Sequence, residues 1–127
     1  MHKYENLDLW KRGVALAARL HRCARQSSRG PDQSLWQQIS RSAVSIPANV
    51  AEGAQRGSDR EFARFLGIAM GSAAELHTLL GLAHEALVLA ELDARAFAQE
   101  ALELRRMASA LRSRALGVGR RRDTCST

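Results

Sequence analysis

The sequence predicts an all-α protein, an antiparallel up-and-down four-helix bundle, and three observations carry that prediction. Phe62, Leu66, Ala69, Ala73, Leu76, Leu80, Ala83 and Leu87 recur in alternating steps of four and three, the seam of a long helix packed against neighbours. Three more stretches of the 127-residue chain repeat this spacing, separated by short Gly, Pro and capping signals with no strand pattern between them. Hydrophobic residues make up 46% of the chain but aromatic ones only 5%. A core built from Ala, Leu, Val and Ile suits closely spaced helices better than a β-sandwich.

Helix 1 is expected over about 7–27. Asn6 stands where a cap would, and Asp8 complements the dipole of the first turn. Trp10, Val14, Ala17, Leu20 or His21, and Ala24 keep helical spacing, with Leu9, Leu16 and Cys23 widening the apolar face; Gly30-Pro31 stops the run. Helix 2, about 32–55, opens on Asp32 as its candidate cap and buries Leu35, Ile39, Ala43, Ile46, Val50 and Ala54. Pro47 lies inside it and removes one N–H. Two readings stay open: one helix kinked near Pro47, or a break with a restart capped by Ser45. The apolar period passes through Pro47 in phase, which favours the continuous helix.

Gly53 and Gly57 close helix 2, and Ser58-Asp59-Arg60-Glu61 reads as a capping box. There the serine hydroxyl accepts from the Glu61 amide while the Glu61 carboxylate reaches back. Helix 3 is expected over about 59–90, roughly 45–50 Å at 1.5 Å per residue. Inside it Gly67 and Gly71 are four apart, a spacing that lets a neighbouring helix approach. Asp93 is the expected cap of helix 4, about 94–116, whose stripe is Phe97, Ala101, Leu104, Ala108, Leu111 and Ala115. The bundle thus fills 1–117 as one domain, and a basic tail over 118–127 is expected to be disordered.

Several function classes find no support. No uninterrupted apolar run nears the ~20 residues of a spanning helix, and Met1 to Asn6 carries no signal-peptide core. The expected setting is cytoplasmic, away from membranes. Cys23 and Cys125 make no disulfide framework and read as free thiols. A di-iron bundle needs Glu-x-x-His on two helices, whereas Glu75 and His77 are two apart and His84 and Glu85 adjacent. No metal or other cofactor is expected. Ser42, Ser45, Ser58 and Ser72 lie in no nucleophile elbow, and there is no phosphate-cradling glycine loop. The chain does not read as an enzyme.

Charge is the positive signal. A net charge of +6 suits a polyanionic partner, most simply RNA or DNA. Lys11, Arg12, Arg19, Arg22 and Arg25 lie on helix 1, and Arg105, Arg106, Arg112 and Arg114 on helix 4, with Arg120, Arg121 and Arg122 beyond it. If helices 1 and 4 are neighbours, these residues join into one patch able to neutralise backbone phosphates. The plainer reading is a solvated arginine face partnered by Glu100 and Glu103. With no aromatic on that surface, base-specific readout of single strands is not expected. Asn49, Glu52 and Arg56 share one face of helix 2, and Glu61 and Glu75 lie on helix 3 beside Arg60 and Arg64. Structural or subunit contacts are the expected work of these groups.

The run Ser45-Ile46-Pro47-Ala48-Asn49-Val50-Ala51-Glu52-Gly53 is followed by Arg56, Ser58, Glu61-Phe62, Arg64-Phe65-Leu66, Ile68-Ala69, Gly71-Ser72 and Glu75-Leu76. With the opening Leu7-Asp8-Leu9-Trp10-Lys11, this pattern resembles the 23S rRNA-intervening sequence proteins, the S23-type four-helix bundles, over about 7–116. The resemblance implies a ring-like homo-oligomer, a pentamer, with no enzymatic activity. It also implies kinship with the accessory protein of diversity-generating retroelements, a basic bundle that works with a reverse transcriptase and RNA. On that basis Pro47, Asn49, Glu52, Gly53, Arg56, Ser58, Glu61, Gly71 and Glu75 are expected to be structural or assembly residues. The functional expectation is a basic scaffold that binds nucleic acid through phosphates, with a protein partner such as a reverse transcriptase. The alternative is a protein–protein assembly module with no nucleic-acid role.

Overall fold

The computed structural model describes residues 3–27 and 30–117. A 3-10 turn, Tyr4–Asn6, precedes four helices: α1 Asp8–Ser27, α2 Asp32–Ala54, α3 Asp59–Glu85 and α4 Glu91–Ala115. Among the described residues there is no strand. Each helix packs mainly on its chain neighbour, and α1 meets α4 along the thinnest seam. The interior is aliphatic, with Leu9, Leu16, Leu20, Ile39, Ile46, Leu66, Leu76, Leu80 and Leu104 fully buried around one large ring, Trp36. The expected tail over 118–127 lies outside the described residues.

α2 runs unbroken through Pro47. Asn49 Nδ2 donates to the Ser45 carbonyl at 2.8 Å, one turn before it. The proline ring has a specific seat. A Cβ on Gly13 of α1 would stand 3.2 Å from Pro47 Cδ, so the missing side chain admits the ring. This contact sets the face of α1. Its buried line is Leu9, Gly13, Leu16 and Leu20, not the expected Trp10–Val14–Ala17 line, and Val14 is exposed.

Several helix ends differ from expectation. Asn6 closes the 3-10 turn instead of capping α1, and Asp32 and Asp93 lie inside the first turns of α2 and α4. Pro31 and Ala90 are the N-caps there, and neither makes a side-chain bond. Ser58 does cap α3, its Oγ accepting from the Glu61 amide at 3.1 Å. The other half of the expected box is absent, because the Glu61 carboxylate is drawn sideways to Arg64 Nε at 2.8 Å. An ionised guanidinium is the stronger donor.

α3 stops at Glu85, not near residue 90. Leu87 takes a left-handed φ of 61°. Its amide donates to the His84 carbonyl at 3.0 Å, and that of Val88 to the Ala83 carbonyl at 2.8 Å. This is a Schellman closure with leucine where glycine is usual. Leu87, expected on the seam, is 90% exposed, while Leu89 turns into the core and Val88 packs on it. The helix ends so that these two side chains can plug the end of the bundle.

By length and composition α3 passes for a membrane span, which a search for uninterrupted apolar runs does not reveal. Here it is the central core helix, between α2 and α4. Its two four-spaced glycines do not seat a neighbouring helix backbone among the described residues. There a Cβ at Gly67 would meet only Arg112 Nε, at 3.6 Å, and one at Gly71 would meet nothing within 4 Å.

Candidate nucleic-acid interface

α1 and α4 are neighbours, as a joined basic patch requires, but their arginines divide. On the side of α1 turned to α4, Arg12 Nη2 and Nε donate to Glu100 Oε1 at 2.9 and 3.2 Å. Its Nη1 lies 3.9 Å from Glu103 Oε1 and 3.3 Å from Met107 Sδ. The Arg19 guanidinium sits 5.1 Å above the Phe97 ring, a cation–π contact. These two residues tie the thin seam together. Lys11, Arg22 and Arg25 are exposed, and their side chains make no ion pair or hydrogen bond among the described residues.

On α4, Arg106 pairs with Glu103 at 3.5 Å, so Glu100 and Glu103 do serve as arginine partners. Arg106 also lines a groove of about 260 Å³ with Arg95, Gln99 and, from α3, His77. Arg112 lies beside Gly67 of α3. Arg114 instead borders a groove of about 350 Å³ with Leu7, Asp8 and Leu9 at the start of α1. Arg105 is exposed. Among the described residues, Arg106 and Arg114 of α4 thus line separate grooves, one with α3 and one with the start of α1. Arg120, Arg121 and Arg122 lie outside the described residues.

The α1–α2 side holds a cluster that the sequence reading missed. His21 and Arg25 of α1 line one cleft of about 440 Å³ with Gln33, Ser40 and Arg41 of α2, and Trp36 lies at its inner wall. A signal was present. In an antiparallel hairpin, positions equally distant from the turn come together, and His21 and Arg41 are equally far in sequence from Pro31.

Most of the motif residues are consumed by the α2–α3 corner. A Cβ on Gly53 would lie 2.6 Å from Phe65 Cβ and 3.2 Å from Phe62 Cδ1, so the two helices meet there at backbone distance. Arg56 pairs with Glu52 at 2.7 Å, and the Arg56 and Arg64 guanidiniums lie 5.1 and 4.5 Å from the Phe65 ring centre. The hydrogen bond from Arg64 holds the Glu61 carboxyl below its ordinary range, and the same bond raises the Arg64 pKa. Higher up, Ser45 Oγ and Ser72 Oγ share a hydrogen bond of 2.7 Å across α2 and α3, and Asn49 Nδ2 donates to the same Ser45 hydroxyl at 2.9 Å. Gly71 and Glu75 stand apart. Both are exposed, and Glu75 makes no ion pair or hydrogen bond among the described residues.

Among the described residues no three His, Cys, Asp or Glu side chains gather as metal ligands. Fold and surface together define a small, arginine-rich four-helix bundle. Comparison with protein families places it further: the chain belongs to the 23S rRNA-intervening sequence protein family, whose model matches residues 5–110. Comparison with curated proteins found no match.

Proposed function

We propose that this protein is a non-enzymatic, cytoplasmic scaffold, a ring-like homopentamer that binds RNA or DNA through backbone phosphates. The observation that carries the nucleic-acid part is a set of cations without acidic partners. Lys11, Arg22, Arg25 and Arg41 are exposed and unpaired among the described residues, on a chain of net charge +6. An unpaired guanidinium can take a phosphate without first giving up a carboxylate, and every phosphate so neutralised releases counterions. Repetition around a ring multiplies that field. A protein partner with its own nucleic-acid chemistry, such as a reverse transcriptase, fits the same scaffold.

Self-association is supported by the outer side of α3. Ile68 and Leu82 are exposed there, with Gly71 and Glu75 on the same face by helical spacing. A mid-helix glycine costs up to about 1 kcal/mol against alanine, and no contact among the described residues accounts for Gly71. The same face favours the second reading, a protein assembly module with no nucleic-acid role.

RNA binding by the full chain across a salt series, with the oligomer mass measured in the same buffers, separates the two. The scaffold reading expects an intact oligomer whose affinity falls linearly in log–log salt. An oligomer that retains no RNA even at low salt leaves the assembly module.

A further inference from the structure

We infer that the α1–α2 cleft is the phosphate-recognition site of this surface, taking a phosphodiester of a nucleic-acid strand between Arg25 and Arg41. The inference rests on the nucleic-acid reading above and names the place where that reading acts.

The charge of the lining is one-sided. His21, Arg25, Gln33, Gln37, Ser40 and Arg41 all offer N–H or O–H donors to one space of about 440 Å³, and among the described residues no carboxylate lines it. Asp32, in the first turn of α2, is not among the lining residues. Four arginines outside the cleft are answered from within the chain: Arg12 by Glu100, Arg56 by Glu52, Arg64 by Glu61, Arg106 by Glu103. Arg25, Arg41 and His21 have no such answer among the described residues. Two guanidiniums carried by different helices suit a tetrahedral anion, because each presents a planar fork of donors from its own direction.

A second observation concerns the wall. Trp36 borders the cleft, and its indole Nε1 is buried without a hydrogen-bond partner. Buried donors are nearly always satisfied, so an unpartnered one at the wall of this cleft leaves a donor open to an entering acceptor. Trp36 is only 1% exposed, which leaves no ring face for a base to stack on. The cleft therefore reads backbone phosphate, not base identity.

The test is a fluorescence-anisotropy titration of the full-length protein with a labelled 20-nucleotide single-stranded RNA at several salt concentrations. Two double variants of equal charge loss are compared, Arg25→Gln/Arg41→Gln within the cleft and Arg60→Gln/Arg95→Gln on α3 and α4, outside it. Circular dichroism and oligomer mass check that each folds and assembles like the parent. The cleft variant should weaken binding at least tenfold and lower the log–log salt slope by about 0.7, one single-strand phosphate's worth. The control variant should lose less than threefold. Equal losses in the two variants would mean a diffuse positive field and overturn the cleft while leaving the nucleic-acid reading standing. No binding by the parent protein would overturn both. In a Trp10→Phe background Trp36 is the sole tryptophan, and saturating RNA should change its emission. An unchanged spectrum alongside bound RNA would place the strand elsewhere.

Discussion

Phe65 of α3 is seated directly on Gly53 of α2: a Cβ at position 53 would fall 2.6 Å from Phe65 Cβ. That atom belongs to the stiff root of the side chain, so no rotamer change relieves the clash. Gly53→Ala should destabilise the fold by about 1–3 kcal/mol, the usual cost of overpacking, although alanine is the better helix former by about 1 kcal/mol. Urea denaturation checks this, and a variant as stable as the parent would mean that the corner has slack.

Gly71→Ala should do the opposite to the isolated chain. Nothing among the described residues lies within 4 Å of the added methyl, so the helix gains up to about 1 kcal/mol. If subunits meet on this face, the same methyl intrudes and the oligomer mass falls. Denaturation of dilute protein together with light scattering reads both effects. A stabilised chain with unchanged mass removes the α3 face from the assembly.

Leu87→Gly should stabilise the protein by about 1 kcal/mol. The left-handed conformation at φ 61° penalises a side chain by roughly 1–2 kcal/mol, and the leucine is too exposed to return that through burial. A rise in Tm is the expected readout. A fall would mean that the Leu87 side chain is covered in the assembled protein.

How much of this could be read from residues alone depended on whether tertiary contacts used apolar side chains. The α3 seam from Phe62 to Ala83 was legible because every member is buried and apolar. The face of α1 was not, because its key position is Gly13, which has no hydrophobicity of its own and matters only through Pro47 on another helix. The end of α3 was hidden for a similar reason. Val88 and Leu89 draw the chain into the core at a leucine that no stop rule marks. The basic residues were legible one at a time, but sequence spacing does not show that Arg12 and Arg19 reach across to α4 while His21, Arg25 and Arg41 converge across two helices.

Arg12 and Glu100 are partly exposed, so their 2.9 Å pair is discounted to at most about 1 kcal/mol. A double-mutant cycle of Arg12→Ala and Glu100→Ala should return a coupling of about 0.5 kcal/mol. Zero coupling would leave Arg19 on Phe97 and the aliphatic contacts to close the seam.

Stability should respond to acid through Glu61. Its pKa is lowered from the ordinary 4.5 first by the hydrogen bond from Arg64, so the folded chain binds this proton less readily than the unfolded one. The contribution is therefore fully present above the unfolded-state value and fades as pH falls through the folded value. Both groups are exposed to solvent, and the effect is small. Tm of Glu61→Gln should lie slightly below that of the parent at pH 7, and the two curves should converge below about pH 4. Parallel curves down to pH 3 would show that the pair contributes nothing.

Packing that follows chain order, with only a thin closure between first and last helix, has a kinetic consequence. Nearly all stabilising contacts join segments close in sequence, so little loop entropy must be lost before they form, and folding should run at the fast, helical end of the range. The converse holds in the native state. α1 can lift away from the rest by giving up its contacts with α2 and the few with α4, while α2, α3 and α4 keep a common core. Amide protons of α1 should therefore exchange through a partial opening that never exposes α3.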